Sequence, residues 1–125
     1  MKKVEQLRAK HPSWFQRPFY GFGCDDGWYK LIRDLLEELE LMGMDENFRV
    51  LQVKEKFGGL RFYTQGASQE AARRIEEVCQ DSFNVCERCG TRENVTTEGS
   101  WVVTLCKDCR KPHEYKGAEL EDWDD

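Results

Sequence analysis

The chain has 125 residues, a net charge of −5 and 34% charged against 39% hydrophobic residues. At this length we expect one compact domain, or one domain with a small appendage. No apolar run is long enough to cross a bilayer, and the first residues lack the apolar stretch of a secretory signal, so we expect a cytoplasmic protein. The acidic total argues against strong nonspecific binding to nucleic acid, which depends on phosphate neutralisation.

Residues 4–10 are predicted to form a short helix that ends before Pro12, because a residue that precedes proline avoids the α region. An aromatic-rich segment follows in residues 14–29. Large rings in an irregular segment usually fill gaps in a core, but they can also form a patch that binds a partner. The candidates for such a patch are Trp14, Phe15, Phe19, Tyr20 and Phe22.

The next predicted element is a helix that runs to about residue 42, with Asp25 or Asp26 as its N-cap and Gly43 as its stop. Its apolar residues recur at helical spacing on one face. A second long helix is predicted from the cap Ser68 to about residue 83.

Between these helices the sequence predicts a β-hairpin, with strands over residues 48–57 and 60–64. Gly58-Gly59 is the expected two-residue turn, since both glycines tolerate positive φ, and Phe57 then faces Leu60. In that register one face carries basic and aromatic side chains together: Lys54, Lys56, Arg61 and Tyr63. This face is either an ordinary solvated cationic surface, which we favour, or a surface that binds a macromolecule.

Two C-x-x-C pairs follow, Cys86-Glu87-Arg88-Cys89 and Cys106-Lys107-Asp108-Cys109. This spacing is typical of a zinc site with four thiolate ligands, and a reducing compartment favours metal binding over disulfides. We therefore expect Cys86, Cys89, Cys106 and Cys109 to bind one structural zinc ion per chain. Iron is the main competing metal, and His113 is a weaker candidate ligand.

The two remaining cysteines, Cys24 and Cys79, have no histidine near them in sequence, and we interpret both as buried thiols of the core. The predicted organisation is a core domain over residues 1–83, a zinc-ribbon-like module over residues 84–111 and an acidic, disordered tail over residues 112–125.

Three blocks in this order resemble a group of small uncharacterised proteins found in phages, prophages and bacterial genomes. They are CDDGWYKLI at residues 24–32, VKEKFGGLRFY at residues 53–63, and CERCG at residues 86–90 with TLC at residues 104–106. The group has glycine where this chain has Asp25. No activity transfers from it, but the resemblance implies a mobile-element setting and an accessory protein that acts on a host component. A phage-encoded inhibitor or regulator of a host system is the expectation that follows.

The sequence thus predicts an α+β fold, with two main helices on a small antiparallel sheet and a C-terminal zinc-ribbon-like module. The function that we expect is non-enzymatic binding of a macromolecule, with a protein as the favoured partner. The alternative is a nucleic-acid-binding regulator that uses the basic hairpin and the ribbon, and a small enzyme is the third interpretation. The identity of the partner and the oligomeric state are not predicted.

Overall fold

A computed structural model describes residues 2–111, so the predictions about His113 and the tail 112–125 lie outside the described residues. The fold is α+β, as predicted. Its elements are α1 (Lys3–Gln6), a 3-10 turn (Leu7–Lys10), β1 (Phe22–Gly23), a 3-10 turn (Asp26–Trp28), α2 (Tyr29–Met42), β2 (Arg49–Lys56), β3 (Gly59–Gln65), α3 (Gln69–Asp81), a 3-10 turn (Ser82–Asn84), β4 (Val95–Glu98) and β5 (Val103–Cys106). No helix within residues 2–111 is long and apolar enough to cross a membrane.

Both long helices begin and end near the predicted positions. At the start of α3 the Ser68 hydroxyl accepts the amide of Ala71 at 3.1 Å, which confirms the predicted cap. At the end of α2, Gly43 adopts a φ of 77°, and its amide bonds to carbonyls of the last turn. Both helices turn an apolar stripe towards the sheet and the core, which is what their sequence periodicity predicts.

The predicted N-cap of α2 is wrong. A 3-10 turn, Asp26–Trp28, precedes α2, and the side chain of Asp25 makes no capping hydrogen bond to it. The carboxylate of Asp26 instead accepts the backbone amide of Val4 at 3.1 Å, at the start of α1. Because this acceptor belongs to a different helix, no local sequence pattern reveals it.

The main sheet has the order β1-β2-β3, with β2 and β3 antiparallel as predicted and the short β1 added in parallel on the other side of β2. The predicted turn is displaced by one residue. Lys56 pairs with Gly59, so Phe57 and Gly58 form the turn, with φ values of 54° and 88°. Positive φ at both positions is the pattern of a type I′ turn.

Although the turn is displaced, each paired residue of the hairpin stays on the face that was predicted for it. Lys54 lies opposite Arg61, and Val53 lies opposite Phe62. Residues directly opposite one another share a face, so the basic residues stay on one side and the apolar residues on the other.

The core lies between the sheet, α2 and α3. Its fully buried side chains of largest volume are Trp28, Phe15, Phe48, Leu7, Ile32, Leu35, Leu36, Leu39 and Leu60. The edge strand β3 is covered on its open side, where the amide of Leu60 donates to the buried hydroxyl of Ser82 at 2.9 Å. A second, smaller apolar cluster joins Leu105 and Cys106 of the β4–β5 hairpin to Cys86, which precedes that hairpin in the chain.

Candidate metal centre

Two similar turns position the four cysteines. Cys86 follows the 3-10 turn after α3, and Cys106 ends β5, after which residues 107–111 are helical. In each pair the sulfur of the first cysteine accepts the backbone amide of the second at 3.4 Å. Gly90 closes the first turn with a φ of 86°, a conformation that side chains rarely adopt. Each C-x-x-C pair therefore forms a turn with the same amide-to-sulfur hydrogen bond.

The four sulfurs meet at one point. All four Sγ atoms lie within 4.8 Å of one another, and those of Cys89 and Cys106 are 3.7 Å apart. Ligands at about 2.3 Å from a tetrahedral ion lie about 3.8 Å from one another. The cluster thus has the dimensions of a four-thiolate metal site, and these cysteines are arranged to bind a metal ion.

The protein favours thiolate at one of these positions. Burial of Cys86 opposes ionisation, but the surrounding backbone amides outweigh it and lower the pKa of Cys86 to about 7. At Cys109, burial and the neighbouring sulfurs of Cys106 and Cys86 raise the pKa. Crowded thiols resist successive ionisation, because each new thiolate is repelled by those already formed. A divalent cation held by these four sulfurs would offset that repulsion with its positive charge.

The cluster is closed on its inner side and open on its outer side. Cys86 and Cys106 are buried, Cys109 is half-buried and Cys89 is exposed. Four protein thiolates complete a tetrahedral shell and leave no position for water or substrate. The donor set therefore favours a structural metal over a catalytic one.

The first cysteine turn is joined to the segment before α2. Gly27 donates its amide to the carbonyl of Glu87 at 2.7 Å, and the carboxylate of Glu87 accepts the amide of Asp25 at 2.9 Å. The indole of Trp28, which is fully buried, donates to the carbonyl of Val85 at 2.9 Å. These contacts connect the metal centre directly to the main core.

The second sheet is joined to the tip of the first hairpin. The buried hydroxyl of Thr104 donates to the carbonyl of Gly58 at 2.6 Å, and Thr97 bonds to the same hydroxyl at 2.6 Å. A side chain on Gly58 would meet Thr97 at 2.6 Å. The division into a domain 1–83 and a module 84–111 stays a prediction, and the two parts are in close contact here.

Sequence reasoning missed Arg110, which follows the last cysteine. Only 6% of this residue is exposed, and its guanidinium donates to the carbonyls of Thr96, Glu98 and Val103. The side chain fixes the helical residues 107–111 against the β4–β5 hairpin. From sequence alone, an arginine next to a C-x-x-C pair is expected on the surface. No feature of the sequence distinguishes the buried Arg110 from an exposed arginine.

Cys24 and Cys79 do not join the cluster. Burial raises the pKa of Cys24 to about 12 and that of Cys79 to about 11, so both thiols are protonated at neutral pH. The interpretation as a buried core thiol is confirmed for Cys24, whereas Cys79 is half-buried and packs against the core from its edge.

The proposed aromatic patch needs correction. Trp14 and Phe15 are 8% and 2% exposed and belong to the core, so neither offers a surface to a partner. Phe19 and Phe22 are half-buried and pack edge-on against each other, with ring centroids 5.2 Å apart. Tyr20 alone of the five candidates is well exposed, at 68%. The segment therefore mainly fills gaps in the core, which was the alternative to a partner-binding patch.

The hairpin candidates lie together on one face, as the sequence predicted. Lys54 is half-buried, and its ammonium lies 5.9 Å from the centre of the Tyr63 ring. Arg61 faces Lys54 across the strands, and Lys56 is exposed near the tip. Among residues 2–111 none of these three cations forms an ion pair.

Two exposed aromatic residues were not among the candidates. Phe57, at the tip of the β2–β3 hairpin, is 69% exposed, and Trp101, in the β4–β5 turn, is 75% exposed. The predicted register placed Phe57 on the core face of the hairpin, so the sequence did not indicate that it is exposed. The one-residue displacement of the turn put Phe57 at the tip instead.

Comparisons with known proteins return no family model, no curated protein and no solved structure that matches this chain.

Proposed function

We propose that the cysteine cluster binds one zinc ion, which stabilises the C-terminal part of the fold. The cluster of four sulfurs, together with two backbone amides that donate to them, supports this proposal. Zinc has no geometric preference of its own and suits four thiolates in a tetrahedral arrangement. Iron in the same donor set would give a redox-active centre. Metal analysis of protein expressed in medium with both metals separates these outcomes, and we expect about one zinc per chain.

We further propose that the protein is not an enzyme and acts by binding another macromolecule, most readily a protein. The observation that supports a binding role is the hairpin face, where Lys54, Lys56 and Arg61 share one face with Tyr63 and have no acidic partners among the described residues. Cations and an exposed tyrosine on a rigid sheet suit a partner with acidic groups and an apolar patch. The resemblance to phage and prophage proteins extends this proposal to a regulator or inhibitor of a host system.

Nucleic acid is the second candidate partner, because Lys54 and Tyr63 could contact a phosphate and a base. The overall charge argues against it, because the chain carries a net charge of −5. A phosphate backbone is repelled by such charge, and the attraction to a few cations falls steeply with salt. We therefore place a protein partner first.

The test is capture of partners from host lysate by the full chain, with and without nuclease treatment. The variant Lys54→Glu/Lys56→Glu/Arg61→Glu should lose the captured protein. A matched control is Lys10→Glu/Lys30→Glu/Arg73→Glu, which reverses three exposed cations elsewhere and changes the net charge equally. Capture that survives nuclease and the control, but not the hairpin variant, supports the proposal. Capture that disappears with nuclease, together with oligonucleotide binding at physiological salt, promotes nucleic acid.

A further inference from the structure

The tips of the two hairpins form an apolar groove on the surface. Phe57, Trp101 and Val102 line it together with Glu55, Lys56 and Ser100, and its volume is about 320 Å³. Phe57 and Trp101 are both more than two-thirds exposed, and Lys56 places its ammonium 5.8 Å from the centre of the Phe57 ring. The carboxylate of Glu55 accepts the amide of Gly58 at 2.8 Å. The groove thus combines two large rings with a cation at its edge.

Phe57 is unfavourable at this position in two ways. Its ring is exposed to water, and its φ of 54° is in the left-handed region that bulky side chains avoid. Asparagine or glycine is the usual residue at this position of a type I′ turn. A strained and exposed aromatic residue points to a role in contact with something else.

We propose that this groove binds the chain's own acidic segment, residues 112–125. The segment contains six acidic side chains and one lysine, and among them are three large apolar residues: Tyr115, Leu120 and Trp123. Rings and a leucine can fill the groove while the carboxylates lie near Lys56. Acidic side chains spaced among apolar ones complement a surface of exposed rings and lysine.

Residues 112–125 are long enough to reach the groove from the end of the described fold. The guanidinium of Arg110 bonds to the carbonyls of Glu98 and Val103, the residues on either side of the β4–β5 turn. Trp101 lies in that turn. Fourteen residues in extended conformation reach at most about 50 Å. Arg110 therefore holds the end of the described chain against the hairpin whose turn contains Trp101, and fourteen further residues are long enough to reach the groove.

Binding of residues 112–125 to the groove can be measured on the protein alone, so the result does not depend on the partner proposed above. The full chain is labelled with 5-fluorotryptophan, and fluorine NMR resolves its four tryptophans, assigned by single replacement. A synthetic peptide of residues 112–125 with the same label gives the signal of a solvated Trp123. We expect Trp123 in the full chain to be shifted from the peptide value, and Trp123→Ala to shift the signal of Trp101.

Phe57→Asn is the second part of the test. It removes one wall of the groove, and asparagine readily adopts the positive φ that this position of the turn requires. We expect it to move the Trp123 signal to the peptide value, while an unchanged signal from the buried Trp28 shows that the fold is intact. Leu41→Asn is the matched control, since Leu41 is 89% exposed on another surface, and it should shift neither signal. The proposal is overturned if Trp123 gives the peptide signal in the wild-type chain. It is also overturned if Phe57→Asn leaves Trp123 unchanged, or if the Trp123 shift disappears on dilution, which indicates binding between chains.

Discussion

The amide of Gly27 donates a hydrogen bond of 2.7 Å to the carbonyl of Glu87, between the segment before α2 and the first cysteine turn. An ideal Cβ on Gly27 would lie 2.2 Å from the carbonyl oxygen of Cys86. The two backbones are therefore in direct contact, and no side chain fits between them. This contact places the cysteine cluster directly against the core.

Gly27→Ala should destabilise the protein by about 2 to 3 kcal/mol or more, because the clash is with backbone that moves only if the two parts separate. Gly27 lacks a positive φ, so the cost comes from the contact alone. Gly43→Ala is the control, since Gly43 has a φ of 77° and open space around it. It should cost about 1 kcal/mol for its backbone conformation. Denaturant unfolding measures both, and an equal or smaller effect at Gly27 would contradict the close contact.

Metal removal should disturb both sides of this contact. Four-thiolate sites contribute folding free energy, so chelation should expose the amides of residues 85–111. Since Glu87 holds the amides of Asp25 and Gly27, we also expect faster hydrogen exchange in residues 25–28. The helical amides of α3 should remain protected.

Cys89→Ser should reproduce the effect of the chelator, while Cys79→Ser, outside the cluster, should leave zinc content at about one per chain. Hydrogen exchange with mass spectrometry resolves these segments. Loss of protection across the whole chain would show that core and metal centre unfold together, and unchanged exchange after chelation would remove the structural role of the metal.

Substitution of Gly59 should destabilise the hairpin. The reason is contact with a neighbouring ring and not the turn conformation that the sequence suggests. Gly59 lies in β3 rather than in the turn, and a Cβ there would be 2.4 Å from the Phe83 ring. Gly59→Ala should therefore cost about 1 to 3 kcal/mol through this ring. In a Phe83→Ala background the same change should cost much less. A double-mutant cycle measures this difference, and purely additive effects would show that the ring is not the cause.

The carboxylate of Glu38, on α2, bonds to the guanidinium of Arg74, on α3. This hydrogen bond lowers the pKa of Glu38 below its usual value, so the pair stabilises the fold above the unfolded-state pKa of glutamate and ceases to do so as pH falls. More than a third of each side chain is exposed, and solvent limits the effect to about 0.5 to 1 kcal/mol. Glu38→Gln should lose this amount at pH 7 and less at pH 3. Urea midpoints at both values check it, with exposed Glu37→Gln as the control.

The helices and cysteine turns were predictable because their signals are local: an apolar period, a serine cap and a C-x-x-C spacing. The hairpin was predictable in its faces but not in its turn. In the observed turn Gly58 lies against Thr97 and Gly59 against Phe83, and these contacts with distant segments leave no local pattern. The role of Asp26 as a cap for α1 was not predictable, because its partner lies 22 residues away in sequence. Contacts between distant segments, which set the surroundings of the metal centre, leave no pattern in one chain.

Arg110→Met should weaken the metal centre although Arg110 is not a ligand. The buried guanidinium donates to three backbone carbonyls, and its loss leaves them without a donor in a place that water reaches poorly. We expect a loss of about 2 to 4 kcal/mol in the stability of the β4–β5 region and, through Cys109, weaker zinc binding in competition with a chelator. Arg88→Met is the matched control, since Arg88 is exposed and only approaches the Cys109 carbonyl at 3.5 Å. Equal zinc affinity in the two variants would show that Arg110 stabilises the hairpin without supporting the metal ligands.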